Sequence, residues 1–191
     1  MHTDRIKLPF QFDVERLLAD LKTAEAKVDW ISHFVKDNYE GDWSVIPLTA
    51  QKGRDHPILM ASAIPGDKDF IPTPFLEACP YFQKVIDRFK TKYCSIRLMK
   101  LAAGSEIKEH KDFDLDLDEV RLHIPLITHA DVAFYVNNDR VNMESGECWY
   151  LRLSDPHRVV NNSQIDRVHL VMDFELNDWL RELMTINQVS E

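Results

Sequence analysis

His110 and Asp112 stand two residues apart just beyond an apolar run, His157 follows 45 residues after Asp112, and Arg167 comes ten residues later. Two imidazoles and one carboxylate form the donor set that holds a catalytic non-haem Fe(II) on one face, leaving other coordination positions open for a co-substrate and O2. In an extended segment residues i and i+2 share a face, so His110 and Asp112 can address one ion while Lys111 points away. Taken alone the pair also fits a surface contact, because Asp112 opens an acidic run, to Glu119, with five acids in eight positions. The company of His157 and Arg167 selects the metal reading.

Turn signals set where these side chains sit. Gly104-Ser105 precedes His110 and Ser154-Asp155-Pro156 precedes His157, which puts both beside strand ends that open onto a cavity. Arg121 and His123 share one face of an alternating segment, and Arg167 and His169 share one face of another. All four replace apolar residues at positions that alternation assigns to the interior. A buried guanidinium without a partner costs several kcal/mol, so each such Arg needs an anion. A cross-strand Asp or Glu would serve, and so would a dicarboxylate co-substrate held by the bidentate fork of Arg. His169 reads as a satisfied core histidine or a group behind the ligands rather than a ligand. His2, His33, His56 and His129 read as surface or structural, and Trp30, Trp43, Trp149 and Trp179 as packing residues. Asp155 is placed to orient a loop or its neighbour His157.

The elements around these residues follow from pattern. Asp13 caps a helix with Val14, Leu17, Leu18 and Leu21 on one face, fading near Ala26. Trp43 to Thr49 reads as a strand in which Pro47 demands an edge or irregular position. Residues 53 to 74 carry Gly53, Pro57, Pro65, Gly66, Pro72 and Pro74, a density that implies a long ordered loop of the kind that covers sites. Pro80 starts a helix to about Lys90 with Phe82, Val85, Ile86 and Phe89 on its buried side. From Tyr93 the period falls to two, giving strands over 95–101, 120–128, 131–136, 147–153, 157–160 and 167–174. Asn137-Asn138-Asp139 and Ser145-Gly146 are turns, and Asn177 caps a last helix through Trp179, Leu180 and Leu183. The expected fold is mainly β with flanking helices, a jelly-roll or cupin-like double sheet. One domain spans 1–191: a mixed helical and loop part over 1–91, a β core over 92–176, and a C-terminal helix and tail over 177–191.

Composition narrows the function class. The net charge of −9 at pI 5.3 has no offsetting cluster of Lys and Arg, which argues against nucleic-acid backbones and anionic membranes. Cys79, Cys94 and Cys148 lack zinc-site spacing and read as buried free thiols. No apolar stretch approaches the length of a membrane span and the first residues hold no signal-peptide core, so the expectation is a soluble cytoplasmic protein. No oligomeric state is assigned.

Together the segments Gly104-Ser-Glu-Ile-Lys-Glu-His110-Lys-Asp112, Arg121-Leu-His123, Gly146-Glu-Cys-Trp149-Tyr-Leu, Pro156-His157 and Arg167-Val-His-Leu-Val-Met-Asp173 carry a resemblance. From Arg97 to Asp173 the chain resembles the aspartyl/asparaginyl β-hydroxylase family of Fe(II)- and 2-oxoglutarate-dependent dioxygenases, whose fold is a double-stranded β-helix. Arg-x-His, Gly-Glu-x-Trp and Arg-x-His-Leu-Val-x-Asp also resemble bacterial L-proline cis-4-hydroxylases, free-amino-acid enzymes of the same group. The resemblance implies that His110, Asp112 and His157 ligate iron and that Arg167 clamps the distal carboxylate of 2-oxoglutarate. It places His123 at the carboxylate nearer the metal, and Arg97 and Arg121 at an acidic substrate or the co-substrate. The implied reaction couples oxidative decarboxylation of 2-oxoglutarate by O2 to hydroxylation of an amino acid, free or as Asp/Asn in a peptide. Two other readings stay open at this point: a metal-dependent cupin enzyme that does not use 2-oxoglutarate, and a non-catalytic cupin-like binding module.

Overall fold

The computed structural model describes residues 3–64, 66–113 and 115–188; His2, Pro65, Asp114 and residues 189–191 of the expected tail lie outside the described residues. In chain order the first elements are β1 (Arg5–Gln11), α1 (Val14–Glu25), β2 (Ile31–Ser32), β3 (Tyr39–Glu40), β4 (Trp43–Pro47), β5 (Thr49–Gln51) and the single turn α2 (Pro57–Met60). β6 (Phe70–Pro72), the single turn α3 (Pro74–Glu77) and α4 (Pro80–Ile86) lead into β7 (Tyr93–Leu101), β8 (Glu106–His110) and β9 (Glu119–Ile127). β10 (Val132–Val136), β11 (Asp139–Val141), β12 (Glu147–Leu151), β13 (His157–Asn161), β14 (Arg167–Glu175) and α5 (Asp178–Ile186) follow.

A seven-stranded sheet, β1-β12-β9-β14-β7-β4-β2, and a five-stranded sheet, β11-β10-β13-β8-β3, pair antiparallel throughout. This is the jelly-roll double sheet expected from the alternation, and the double-stranded β-helix that the family resemblance implies. The parity of each central strand decides what every side chain meets. On β9 the even residues Val120, Leu122, Ile124 and Leu126 join Val168, Leu170, Met172 and Phe174 of β14 and Ile96 and Leu98 of β7 in a core under α1, α3, α4 and α5. The odd residues turn the other way, between the sheets, where Met99, Leu101 and Val171 pack with Ile107, Phe134, Val136 and Val159 of the second sheet. Arg97, Arg121, His123, Arg167, His169 and Asp173 all have this inward parity.

Local signals explain the flanking elements. The Asp13 carboxylate accepts the Arg16 N–H at 3.2 Å, and Asn177 Oδ1 accepts the Leu180 N–H at 3.0 Å, capping α1 and α5. α4 stops at Ile86, short of Lys90, but a tight turn carries on through Phe89 with i→i−3 bonds, so Phe89 still reaches the core. Pro125 lies in a central strand and has no N–H to give. The ladder to β14 shifts register there, between Val168 and His169, as a bulge absorbs the missing donor. Pro47 pairs with Arg97 on β7 beyond the reach of the two-residue β2, the irregular place expected.

The first 91 residues do more than pack on the β core. β1, β2 and β4 extend the seven-stranded sheet and β3 extends the other. β1 escaped sequence reading because only Ile6 and Leu8 of its alternation are fully buried on this edge strand. The loop expected over 53–74 contains α2 and the hairpin strand β6, and buried Gln51 ties it down. Gln51 Nε2 donates to Ile64 O at 2.9 Å and Asp67 O at 2.8 Å, and its Oε1 accepts the Ile64 N–H at 2.7 Å. The three cysteines are free and buried, and burial pushes the thiols of Cys79 and Cys94 up to about 12.

Candidate active site

β8 ends and β13 begins at facing histidines. The register pairs His157 with His110, and their ring centroids stand 4.3 Å apart. His110 Nδ1 donates to Lys108 O at 2.8 Å and His157 Nδ1 to Asp155 O at 3.0 Å, a bond that fixes each tautomer with a bare Nε2. Asp155 thus orients His157 through its carbonyl. The two Nε2 atoms point at Asp112 Oδ1, at 3.5 Å from His110 and 3.9 Å from His157. One ligand atom from each of the three residues lies within 4.8 Å of the others, the spread of donors around a single divalent ion. Asp112 itself lies past the end of β8, where its N–H donates to Leu153 O at 2.8 Å. Burial raises its carboxyl pKa, but the adjacent His110 imidazole and the Arg121 charge outweigh that and hold it well below the usual carboxylate range. Burial pulls His157 below its ordinary value, toward the neutral form a metal requires.

The seven-stranded sheet faces this centre with cations. Arg121 forks onto Asp173, Nε to Oδ1 at 2.7 Å and Nη2 to Oδ2 at 2.9 Å, while its Nη1 bonds Asp112 Oδ2. Expected at substrate or co-substrate, Arg121 engages all three nitrogens on carboxylates of the chain itself. Its partner stands directly across the ladder, Asp173 opposite Arg121. Arg97 joins the same acid, Nη1 to Asp173 Oδ2 at 3.2 Å, and also bonds Ser95 Oγ. Burial would raise the Asp173 pKa, yet the Arg121 and Arg97 charges bring it below its ordinary value.

Arg167 is different. It is 3% exposed, its Nη2 donates to His169 Nδ1 at 2.8 Å, and its Nε has no hydrogen-bond partner among the described residues. No described acid forms an ion pair with it, and burial alone pulls its pKa down to about 9, so it remains charged at neutral pH. His123 and His169 lie beside it, both pushed well below their ordinary values by burial and then by the Arg167 charge. The His123 Nε2 is likewise buried without a hydrogen-bond partner among the described residues. One cavity of about 130 Å3 joins His110, Asp112 and His157 to His123, Arg97, Arg121 and Arg167.

Two wall residues escaped sequence reading. His33 stacks on Trp43 with centroids 3.6 Å apart and planes at 13°, and both line the cavity. Burial, then the Arg97 charge, lowers the His33 pKa to about 4, leaving it neutral. Only the pairing of β2 with β4, continued by His33 N–H to Trp43 O at 2.8 Å, brings it there. No spacing signal marks it. The Gly146-Glu-x-Trp149 segment is structural instead: Glu147 accepts from Trp149 Nε1 and the Glu144 N–H, each at 2.9 Å, and pairs with Lys7. A Cβ at Gly146, whose φ is +83°, would stand 2.5 Å from Phe12 O.

Residues 11–176 match the sequence profile of the family described as Aspartyl/Asparaginyl beta-hydroxylase. The chain belongs to this family. Among curated relatives of this aspartyl/asparaginyl β-hydroxylase family member, L-proline cis-4-hydroxylase of Rhizobium meliloti (strain 1021) is 30% identical over 172 residues, 86% of this chain and 58% of that one. L-proline cis-3-hydroxylase 2 of Streptomyces sp is 26% identical over 162 residues, 82% of this chain and 53% of that one. The chain therefore spans a little over half the length of the curated relatives it matches. Among solved structures, an oxidoreductase of the 2OG-Fe(II) oxygenase family from Burkholderia pseudomallei shares the fold, with TM-score 0.58 at 15% identity over 90% of this chain and 85% of that one. No helix among the described residues is long and apolar enough to cross a membrane.

Proposed function

We propose that this member of the aspartyl/asparaginyl β-hydroxylase family is an Fe(II)- and 2-oxoglutarate-dependent dioxygenase that hydroxylates a free amino acid, with L-proline the first candidate. The observation that carries the reading is Arg167, a buried guanidinium with no acid of its own in the cavity that also holds two bare imidazole nitrogens and a carboxylate. His110 Nε2, Asp112 Oδ1 and His157 Nε2 would hold the iron, a donor set suited to Fe(II) with open positions. Arg167 would grip the distal carboxylate of 2-oxoglutarate, an anion that supplies the missing counter-charge. His123 would face its metal-proximal end.

When bound, iron and 2-oxoglutarate supply the power to hydroxylate a C–H bond with O2 while the keto acid is converted to succinate and CO2. The chain's own residues hold and shield. Arg121 fastens Asp112 Oδ2 so that Oδ1 faces the imidazoles, and Asp173 fastens Arg121 in turn. Arg97, bonded through Nη1 alone, keeps its other nitrogens for a substrate carboxylate. His33 and Trp43 wall the cavity and help exclude water. The names of the two curated relatives favour a free amino acid over an Asp or Asn residue in a peptide. The free buried thiols suit a reducing, cytoplasmic setting.

The test is a mass-spectrometric screen with Fe(II), 2-oxoglutarate and O2 against L-proline, other amino acids and Asp/Asn peptides. The expected result is a gain of one oxygen by a free amino acid, matched by succinate. Turnover independent of 2-oxoglutarate would mean a different metal enzyme of this fold, and no Fe(II)-dependent succinate at all would mean a binding module.

A further inference from the structure

Asp112 belongs to no strand. It opens an acidic segment whose composition favours solvent, and its neighbours Phe113 and Leu117 are 87% and 76% exposed. A metal ligand, by contrast, must be held to within about 0.5 Å of its working position. Arg121 holds the Asp112 carboxylate from one side, and the backbone that carries Asp112 needs an anchor of its own.

Asp116 turns inward from the same run. Its Oδ1 accepts from the Tyr150 hydroxyl at 2.7 Å, and its Oδ2 accepts from the Ser154 N–H at 3.2 Å. Tyr150 is buried on β12, and Leu115 beside Asp116 is buried in the core between the sheets. Asp116 N–H donates to Glu119 O at 2.7 Å, with the backbone at φ 70°, a left-handed conformation that a non-glycine residue keeps only where its surroundings impose it. Ser154 adjoins Leu153, whose carbonyl takes the Asp112 N–H at 2.8 Å. Two tethers therefore run side by side from the 112–116 segment to the turn that leads into His157. Ladder register sets His110 against His157, but Asp112 is set against His157 by this turn.

We propose that Asp116 is a positioning residue for the metal centre: its carboxylate clamps the Asp112 segment to Tyr150 and Ser154 and so fixes Asp112 Oδ1 against the two imidazoles. The inference rests on the reading that His110, Asp112 and His157 bind a divalent metal. Asp116 touches neither metal nor substrate and acts through the backbone it pins.

Co(II) binding tests it without turnover. Metal-free wild type, Asp116→Asn and Tyr150→Phe are titrated anaerobically with Co(II), following the visible absorption bands as well as the affinity, and apo folding is checked by circular dichroism. Asn tolerates the left-handed backbone while losing the charge that accepts two bonds. The expected result is Co(II) affinity about 10-fold weaker in Asp116→Asn, with a changed band pattern, and a smaller change of the same kind in Tyr150→Phe. A variant that melts earlier as apoprotein yet binds Co(II) with wild-type affinity and spectrum overturns the proposal, because Asp116 would then only stabilise its loop. If Asp116→Asn does not fold, Tyr150→Phe decides alone by the same criterion. A His157→Ala variant that binds Co(II) as tightly as wild type would instead sink the metal reading itself, and the clamp with it.

Discussion

Arg121 and Arg167 point into the same space from neighbouring strands of one sheet, yet the chain treats them oppositely. Arg121 meets Asp173 straight across the ladder, shares that acid with Arg97 and adds Asp112. Arg167 meets two neutral imidazoles and leaves a buried N–H unbonded. Burying a guanidinium costs several kcal/mol unless an anion answers it. At the Asp173 end the fold answers its own charge, so that end is architecture that steadies Asp112, the proposed metal ligand. At the Arg167 end no described acid answers the charge, which supports the proposed role of that end as an anion-binding site kept at the expense of stability.

The largest effect should come from breaking the paired end. Asp173→Ala leaves the half-buried Arg97 without an acid and Arg121 with Asp112 alone, and denaturant unfolding is expected to show a loss of about 3–5 kcal/mol. Next is the unpaired end: Arg167→Met removes the charge-assisted grip on 2-oxoglutarate, about 2–3 kcal/mol, and calorimetric titration should show roughly 100-fold weaker binding to the metal-loaded protein. The same Arg167→Met change should stabilise the apoprotein by about 1 kcal/mol in denaturant unfolding, opposite in sign to Asp173→Ala. A destabilised Arg167→Met apoprotein would erase the contrast between the two ends. The smallest effect is in pH. The folded pKa of Asp173 lies below its ordinary 3.8, so its contribution is fully present above that value and is lost as pH falls through the folded one. Melting curves from neutral pH into acid should lose this increment in wild type and Arg167→Met alike, and not in Asp173→Ala.

The same contrast shows what was legible in the sequence. Alternation on β9 and β14 was enough to send Arg121, His123, Arg167 and His169 inward, and donor type and spacing singled out His110, Asp112 and His157, whose donor atoms the structure brings within 4.8 Å of one another, because strand parity and ligand chemistry are local properties. Which Arg was already satisfied was not local. Asp173 answers Arg121 only through a register between strands 52 residues apart, a register that also slips at Pro125. His33 reaches the cavity through a two-residue strand too short to announce itself. The run from Asp112 to Glu119 reads as uniformly solvated, and nothing in its composition separates Asp116, bonded to buried Tyr150, from its exposed neighbours.

The most direct test of the central claim is the binding of 2-oxoglutarate to wild type and Arg167→Met, each with and without anaerobic Fe(II). Tight binding that requires the metal and falls roughly 100-fold on loss of the guanidinium is the predicted result. Equal affinity in the two proteins, or wild-type binding indifferent to Fe(II), would contradict it.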